Sequence, residues 1–465
     1  MRIRKNEIRL GFAPTRRNSS FGAEEAGRFK ELTKSKLNGM GINYTDIDWL
    51  NEEGLLYHAD DIEAVARHFE MERMDALFVP HCNFGAEDCV AKLAKKLNKP
   101  LLLWGPRDEA PFDDAVKLRH TQCGLFATSK VLKRFGVPFT YMENCRIESP
   151  VFDRGISDFI AAVRVIKAFR DMRIGQISTR PGAFLSVMCN EGELLEKFGV
   201  ETVPCTITEM KLGMDLLIKR KDDRLYSFAE NTRRIMQCNE VNEEVLIKLG
   251  AMKYAIRDWA DANNLSAIGM QCWNALQDAA GLVPCYVIGE LTGEGLPVVC
   301  ETDICGAVTS VMAQAAKCNE DPVFFADLTV RHPDNDNAEL LWHCGPFPYK
   351  LKREDSLPKL SGHYLQESNT PVLGEFEIKP GEITVCRFDG ANGNYSFLMA
   401  GGRGVEGPKT RGTYLWAEFR DWPALEKRII SGPYIHHVTG VYGNVIPAIT
   451  EALKYIPGIE PDIVN

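Results

Sequence analysis

Three apolar runs in the second half of the chain each end at a residue that can bind a cation. Glu301 follows residues 296–300, Asp327 follows residues 322–326, and His343 follows residues 339–342. In α/β proteins, polar groups at the carboxyl ends of strands are aimed into a crevice by a rigid element. Two carboxylates and an imidazole are suitable ligands for a hard or borderline divalent cation such as Mn²⁺ or Mg²⁺. These spacings therefore indicate a candidate cation site.

Each of these residues also has an ordinary structural explanation. Asp303 stands directly before a predicted helix at Ile304–Ala316 and is a suitable N-cap for it. Carboxylates after strands often cap helices or form turns, so no single residue establishes a site. The three strand ends taken together favour a cation site.

The chain offers a further imidazole near its C-terminus. His436 and His437 are adjacent and follow Tyr434 and Ile435. Adjacent side chains of an extended segment point to opposite faces. If the segment is a strand, only one of the two histidines faces a given site, and we expect the other to be packed or solvated.

One phosphate-binding pattern is rejected. Residues 402–407 read GRGVEG and match the glycine pattern of dinucleotide-binding loops. Such a loop must open a helix whose amide groups face the pyrophosphate. The following residues, 408–412, read PKTRG and do not predict a helix, so we interpret the glycines as a β-connection.

The elements that must position these residues fall into three predicted domains. Short apolar strands alternate with helices through residues 1–148 and again through 149–319, which indicates two α/β domains with doubly wound parallel sheets. From residue 320 to 465, short strands separated by turn residues indicate a β-rich, barrel-like domain.

Composition excludes several classes of protein. The chain has 465 residues, with 64 acidic against 55 basic side chains, a balance that argues against nucleic-acid binding. No apolar run reaches the ~18–20 residues that cross a bilayer, and the charged N-terminus lacks a secretory pattern. The 14 cysteines include no C-x-x-C pair, and we interpret them, Cys272, Cys300 and Cys344 included, as reduced packing residues. A cytoplasmic protein without nucleic-acid or membrane partners is expected.

Several of these segments resemble the L-fucose isomerase and L-arabinose isomerase superfamily. The similar segments are Gly269-Met270-Gln271-Cys272-Trp273, Cys300-Glu301-Thr302-Asp303, Phe325-Ala326-Asp327, Trp342-His343-Cys344-Gly345, His436-His437 and the opening Gly11-Phe12-Ala13-Pro14-Thr15-Arg16. The order of two α/β domains before a β-rich one is similar as well.

The resemblance implies a cytoplasmic aldose–ketose isomerase, an intramolecular oxidoreductase, that acts on a free sugar of the fucose or arabinose type through an enediol. It implies a divalent cation, usually Mn²⁺ with Mg²⁺ or another as alternatives, and a homo-oligomer, for which a hexamer is one form. The roles that it implies are metal-binding and catalytic for Glu301 and Asp327, metal-binding for His437 and His343, and substrate-binding for Gln271, Trp416 and Arg16. Trp416 could stack on the apolar face of a sugar, or it could be a packed aromatic.

Two other functions stay open at this point. A non-catalytic sugar-binding or regulatory protein could use the same scaffold, although sugar binding alone does not need two strand-end carboxylates near a histidine. A metal-dependent lyase that acts on a related sugar is a third possibility.

Overall fold

The computed structural model describes residues 8–19, 22–108, 119–239, 241–272, 275–317, 321–362 and 371–464. These residues form two compact units, which divide between residues 167 and 168. The predicted boundaries near residues 148 and 319 stay predictions. None of the described helices combines the length and the apolarity needed to cross a membrane.

The first unit is built around a five-stranded parallel sheet in the order β2-β1-β3-β4-β5. Its elements are β1 (Leu10–Phe12), α1 (Ala23–Gly39), β2 (Tyr44–Thr45), α2 (Ile62–Met71), β3 (Ala76–Pro80), α3 (Glu87–Leu97), β4 (Leu101–Trp104), α4 (Thr121–Arg134), β5 (Thr140–Tyr141) and α5 (Pro150–Phe169). Every residue of β3 and β4 is buried, as expected of parallel strands that are covered on both faces.

The second unit begins with a four-stranded parallel sheet in the order β7-β6-β8-β9. Its elements are β6 (Arg173–Ile177), α6 (Glu191–Phe198), β7 (Glu201–Cys205), α7 (Ile207–Lys219), α8 (Asp223–Ile235), α9 (Glu243–Ala262), β8 (Ala267–Met270), α10 (Ala275–Ala280), α11 (Cys285–Gly293), β9 (Val298–Cys300) and α12 (Ile304–Ala316).

A nine-stranded sheet follows in the same unit. Its elements, with the helices between them, are β10 (Phe324–His332), β11 (Asn335–His343), β12 (Lys359–Gly362), β13 (Pro371–Glu377), β14 (Glu382–Ala391), β15 (Asn394–Val405), β16 (Thr413–Phe419), α13 (Trp422–Ser431), β17 (His437–Tyr442), α14 (Ile446–Leu453) and β18 (Ile459–Val464). Six strands run antiparallel in the order β16-β11-β10-β17-β14-β15, and β15 pairs again with β16 to close a barrel. The predicted fold class, two parallel α/β sheets followed by a barrel-like β domain, is confirmed.

Helix α12 connects the two parts of the second unit. All thirteen of its residues are buried, because it contacts β8 of the parallel sheet as well as β14 and β17 of the barrel. A helix that is apolar on every side is typical of such a core position. The N-terminus of α12 therefore lies where the edge of the parallel sheet meets the barrel.

The glycine pattern at residues 402–407 does not open a helix. Its first four residues belong to β15 and pair with β16, and the next helix among the described residues is α13. The interpretation as a β-connection agrees with the structure.

Candidate cation site

The two predicted carboxylates and one predicted histidine lie together, although Asp327 is not at a strand end as the sequence suggested. Strand β10 continues past Asp327 to His332, because its antiparallel pairing with β11 extends to that residue. Glu301 follows β9 directly, and Asp327 lies opposite His437 in the antiparallel pairing of β10 with β17. Directly opposed residues of an antiparallel pair share one face of the sheet. The register of these two strands thus aims Asp327 and His437 to the same side, toward Glu301.

The distances between their polar atoms are short. His437 Nε2 lies 3.2 Å from Glu301 Oε2 and 3.5 Å from Asp327 Oδ1. His343 Nε2 lies 4.0 Å from the same Asp327 oxygen. The side chains of Glu301, His343 and His437 are buried, and that of Asp327 is mostly so.

Four atoms of this cluster lack a hydrogen bond. Glu301 Oε2, Asp327 Oδ1, His343 Nε2 and His437 Nε2 are buried without a partner among the described residues. An unpartnered buried polar atom is costly and rare, so four of them in one place require an explanation. Oxygen and imidazole donors that face one another at this spacing fit a divalent cation.

The other ring nitrogen of His437, Nδ1, lies within hydrogen-bond distance of Asp303. Asp303 caps the N-terminus of α12, and its Oδ2 lies 2.8 Å from His437 Nδ1. Burial lowers the pKa of His437, but the carboxylates of Asp303 and Glu301 outweigh it and raise that pKa to about 10. Burial also disfavours the charged form of Asp303, yet the adjacent Arg387 holds its pKa well below the usual range.

The turn after β9 is strained. Glu301 and Thr302 have φ values of 61° and 57°, in the left-handed region that side chains other than glycine seldom adopt. Such strain persists only where the surrounding structure imposes it, and it often marks a functional site. Here the turn points Glu301 toward Nε2 of His437 and brings Asp303 to Nδ1 of the same ring.

The expectation that only one of the two adjacent histidines faces the site is wrong, although the His436 side chain is about half exposed. His436 lies in a bend just before β17, so the alternation of an extended strand does not apply to it. Its Nε2 is 4.0 Å from Asp327 Oδ1, and Asp327, His436 and His437 place donor atoms within 4.8 Å of one another, a spacing that could hold a metal ion. Both histidines therefore lie near Asp327, and their adjacency in sequence was the available signal.

A cavity of about 470 Å³ opens beside the cluster. The described residues that line it are Ala183, Phe184, Leu185, Ser186, Glu301, Asp327, Trp342, His343, Cys344 and His436. The described lining combines the apolar side chains of Phe184, Leu185 and Trp342 with the carboxylates of Glu301 and Asp327, and it includes neither lysine nor arginine. A cavity of this volume accommodates a small polar ligand.

Two of the predicted substrate-binding residues, Gln271 and Trp416, lie in different surroundings. Gln271 follows β8 at the same sheet edge as Glu301, and its Oε1 accepts a hydrogen bond of 2.9 Å from Ser178. Trp416 is buried against Leu340 and Tyr414, and its indole N–H donates to the Pro408 carbonyl at 2.8 Å. Among the described residues, the indole that lines the cavity is that of Trp342, opposite Asp327 in the β10–β11 pairing.

Arg16 belongs to the first unit. Its Nε lies 2.6 Å from Glu53 Oε2, and its guanidinium stacks 3.6 Å above the Tyr57 ring. The predicted roles of Gln271, Trp416 and Arg16 stay predictions.

The neighbouring cysteines do not join the cluster. Cys272, Cys300 and Cys344 are buried, and burial raises the pKa of Cys344 above its usual value. A thiol that stays protonated is a poor ligand. Among the described residues, the group spaced to hold a metal contains no cysteine.

Known proteins resemble this chain over most of its length. The sequence model of the fucose/sulfoquinovose isomerase N-terminal domain matches residues 11–170. A sulfoquinovose isomerase from Priestia aryabhattai is 23% identical over 404 residues, which are 86% of this chain and 88% of that protein. A sulfoquinovose isomerase from Alkalicoccus urumqiensis is 23% identical over 358 residues, which are 76% of this chain and 78% of that protein.

A solved structure shows a much weaker likeness. A periplasmic solute binding protein from Actinobacillus succinogenes 130z with bound D-allose is 10% identical, covers 67% of this chain and 92% of its own, and has a TM-score of 0.17. A similarity at that level carries no information on fold or function.

Proposed function

The resemblance to the fucose isomerase-like superfamily is confirmed, and on that premise we propose that this chain is a cation-dependent aldose–ketose isomerase that acts on a free sugar. The relatives that match across most of the chain bear the name of a sugar isomerase, which supports the prediction of an isomerase enzyme. Glu301, Asp327 and His437 would hold the cation, with His343 as a further ligand. We propose Mn²⁺ as that cation, with Mg²⁺ as the alternative.

One observation carries the proposal. The unpartnered atoms of Glu301, Asp327, His343 and His437 converge beside a cavity that can take a small sugar. A binding protein for a neutral sugar has no need for carboxylates and imidazoles that point at one another without hydrogen bonds. A cation bound among them would give such atoms partners. Among the described residues, the donor atoms spaced to share one ion are those of Asp327, His436 and His437, and Glu301 Oε2 lies 3.2 Å from His437 Nε2.

The chemistry suits these side chains. Aldose–ketose isomerisation moves a proton between C1 and C2 of the sugar, so a base and an acid must reach both carbons. When bound, a divalent cation polarises the sugar carbonyl and stabilises the negative charge that develops on neighbouring oxygens. Glu301 and Asp327 line the cavity and can take up and return the proton. Trp342, with Phe184 and Leu185, can cover the apolar face of the sugar and exclude water.

The lining of the cavity bears on the choice of sugar. Binding of a sulfonated sugar favours a cationic side chain near the sulfonate, and the described lining has neither lysine nor arginine. We keep a neutral aldose of the fucose or arabinose type as the first candidate, as the resemblance implies. Sulfoquinovose is the second candidate, because the relatives bear its name.

We expect a ketose product from at least one sugar in a panel of L-fucose, L-arabinose, D-arabinose and sulfoquinovose, and only when Mn²⁺ is present. Product formation can be followed by proton NMR on protein freed of metal and then supplied with Mn²⁺ or with chelator. If sulfoquinovose were the one sugar converted, the hypothesis of a neutral substrate would be rejected and the hypothesis of an isomerase would be retained.

The non-catalytic alternative makes the opposite prediction. It expects saturable sugar binding and no ketose, even with Mn²⁺ at saturation. A cytoplasmic location remains part of the proposal, and so does a homo-oligomeric state, which derives from the resemblance alone.

A further inference from the structure

The inner side of His437 is enclosed by a buried ion-pair network. Asp303 and His437 are 0% exposed and Arg387 is 1% exposed. The Arg387 guanidinium bonds to Asp303 on one side and to Asp389 on the other, with Nε 2.9 Å from Asp389 Oδ2. Buried charges persist only when they are paired and hydrogen-bonded, and here each one is.

The two oxygens of Asp303 have separate tasks. Oδ1 accepts from the Gly306 amide at 2.8 Å and so caps α12. Oδ2 faces His437 Nδ1 at 2.8 Å. An ionised carboxylate can only accept hydrogen bonds, so Nδ1 must carry a proton in this contact. In the neutral ring Nε2 is then the nitrogen with the free lone pair, and it is the one that faces Glu301 and Asp327.

The ring plane is held as well. Phe325 packs edge-on against His437, with ring centroids 5.1 Å apart and planes at 64°. Rotation of the imidazole would break this contact together with the bond to Asp303.

We infer that Asp303, held in place by Arg387, is a positioning residue that fixes the tautomer and the direction of His437 so that Nε2 can bind the cation. This rests on the proposed cation site. It adds a function to a residue whose sequence context indicates only a helix cap. Carboxylates behind a metal-binding histidine typically contribute 10–100-fold to metal affinity.

Asp303→Asn tests the inference because asparagine is as good an N-cap as aspartate. If the amide oxygen stays on the Gly306 amide, the NH₂ group faces Nδ1, and two donors cannot bond to each other. The ring must then move its proton to Nε2, where it blocks the cation. We expect Mn²⁺ affinity, measured by electron paramagnetic resonance of the free ion, to fall roughly 10–100-fold.

Asp389→Asn is the matched control. It also removes one carboxylate from Arg387, but Asp389 makes its other contact with the Gly390 amide at 2.9 Å and not with His437. We expect Asp389→Asn to lose about as much thermal stability as Asp303→Asn. Its Mn²⁺ affinity should stay within about threefold of the parent, a much smaller change than the 10–100-fold loss expected of Asp303→Asn. If Asp303→Asn does not fold, Asp303→Ser retains a capping oxygen, withdraws the acceptor from Nδ1, and should lose affinity similarly.

The outcomes are distinct. Unchanged affinity in Asp303→Asn, or an equal loss in both variants, overturns the positioning role and leaves the cation site intact. A parent protein that binds no Mn²⁺ overturns the proposed site itself.

Discussion

Replacing Asp327 by asparagine is expected to lower kcat for sugar isomerisation roughly 10²–10⁴-fold, the contribution of a positioned acid or base. Asp327 Oδ1 is buried without a hydrogen bond to any described residue, and it faces three imidazoles, those of His343, His436 and His437. The amide removes the charge that would hold a cation and the group that would carry the proton. Glu301→Gln is expected to act in the same way. Steady-state kinetics with saturating Mn²⁺ measure both effects.

Asp336→Asn is a suitable control for these variants. Asp336 lies on β11, the strand that ends at His343, and it is exposed. It should keep parental kcat and KM, because it does not line the cavity. A variant of Asp327 or Glu301 that retains most of the parental kcat would remove that residue from the catalytic role.

Mn²⁺ is expected to raise the thermal stability of the metal-free protein. A ligand that binds only the folded state adds about 2.7 kcal/mol at a free concentration 100 times its Kd. For a unit of roughly 300 residues, with an unfolding entropy of about 2.1 cal/mol/K per residue, that corresponds to a rise in Tm of about 4 °C. The carboxylates of Glu301 and Asp327 both face Nε2 of His437, and a cation bound there would attract both of them. Calorimetry of metal-free protein, with and without Mn²⁺, measures the shift.

Glu301→Gln and Asp327→Asn serve as controls for this measurement as well. Each should lose most of the Mn²⁺-dependent rise in Tm, because each lacks one of the two anionic ligands. An equal rise in parent and variants would place the stabilising cation elsewhere on the protein.

Much of the fold could be predicted because its elements carry strong local patterns. The helix Ile304–Ala316 has the predicted bounds, since its run of mostly apolar residues directly follows the capping residue Asp303. Strand β18 was not predicted. It contains proline and acidic residues, is partly exposed, and pairs in parallel with β15, so tertiary pairing rather than local pattern makes it a strand.

The site was predictable only in part. That Glu301, Asp327 and His343 follow apolar runs is visible in the sequence. Glu301 and His343 do lie at strand ends, whereas β10 continues past Asp327 to His332. The pairing of Asp327 with His437 depends on the register of two strands that are more than 100 residues apart in sequence. The bend at His436 and the second task of Asp303 depend on packing between the sheet edge and the barrel, which no local pattern encodes.

The most direct test of the account is to locate the cation. A crystal of the protein grown with Mn²⁺, measured at the manganese absorption edge, should give an anomalous peak at coordinating distance from Glu301 Oε2, Asp327 Oδ1 and His437 Nε2. Within the part of the chain that the structure describes, these are buried atoms without hydrogen bonds. No peak at this position with Mn²⁺ at saturation, or a peak only at another site, would contradict the proposed cation-dependent isomerase centre.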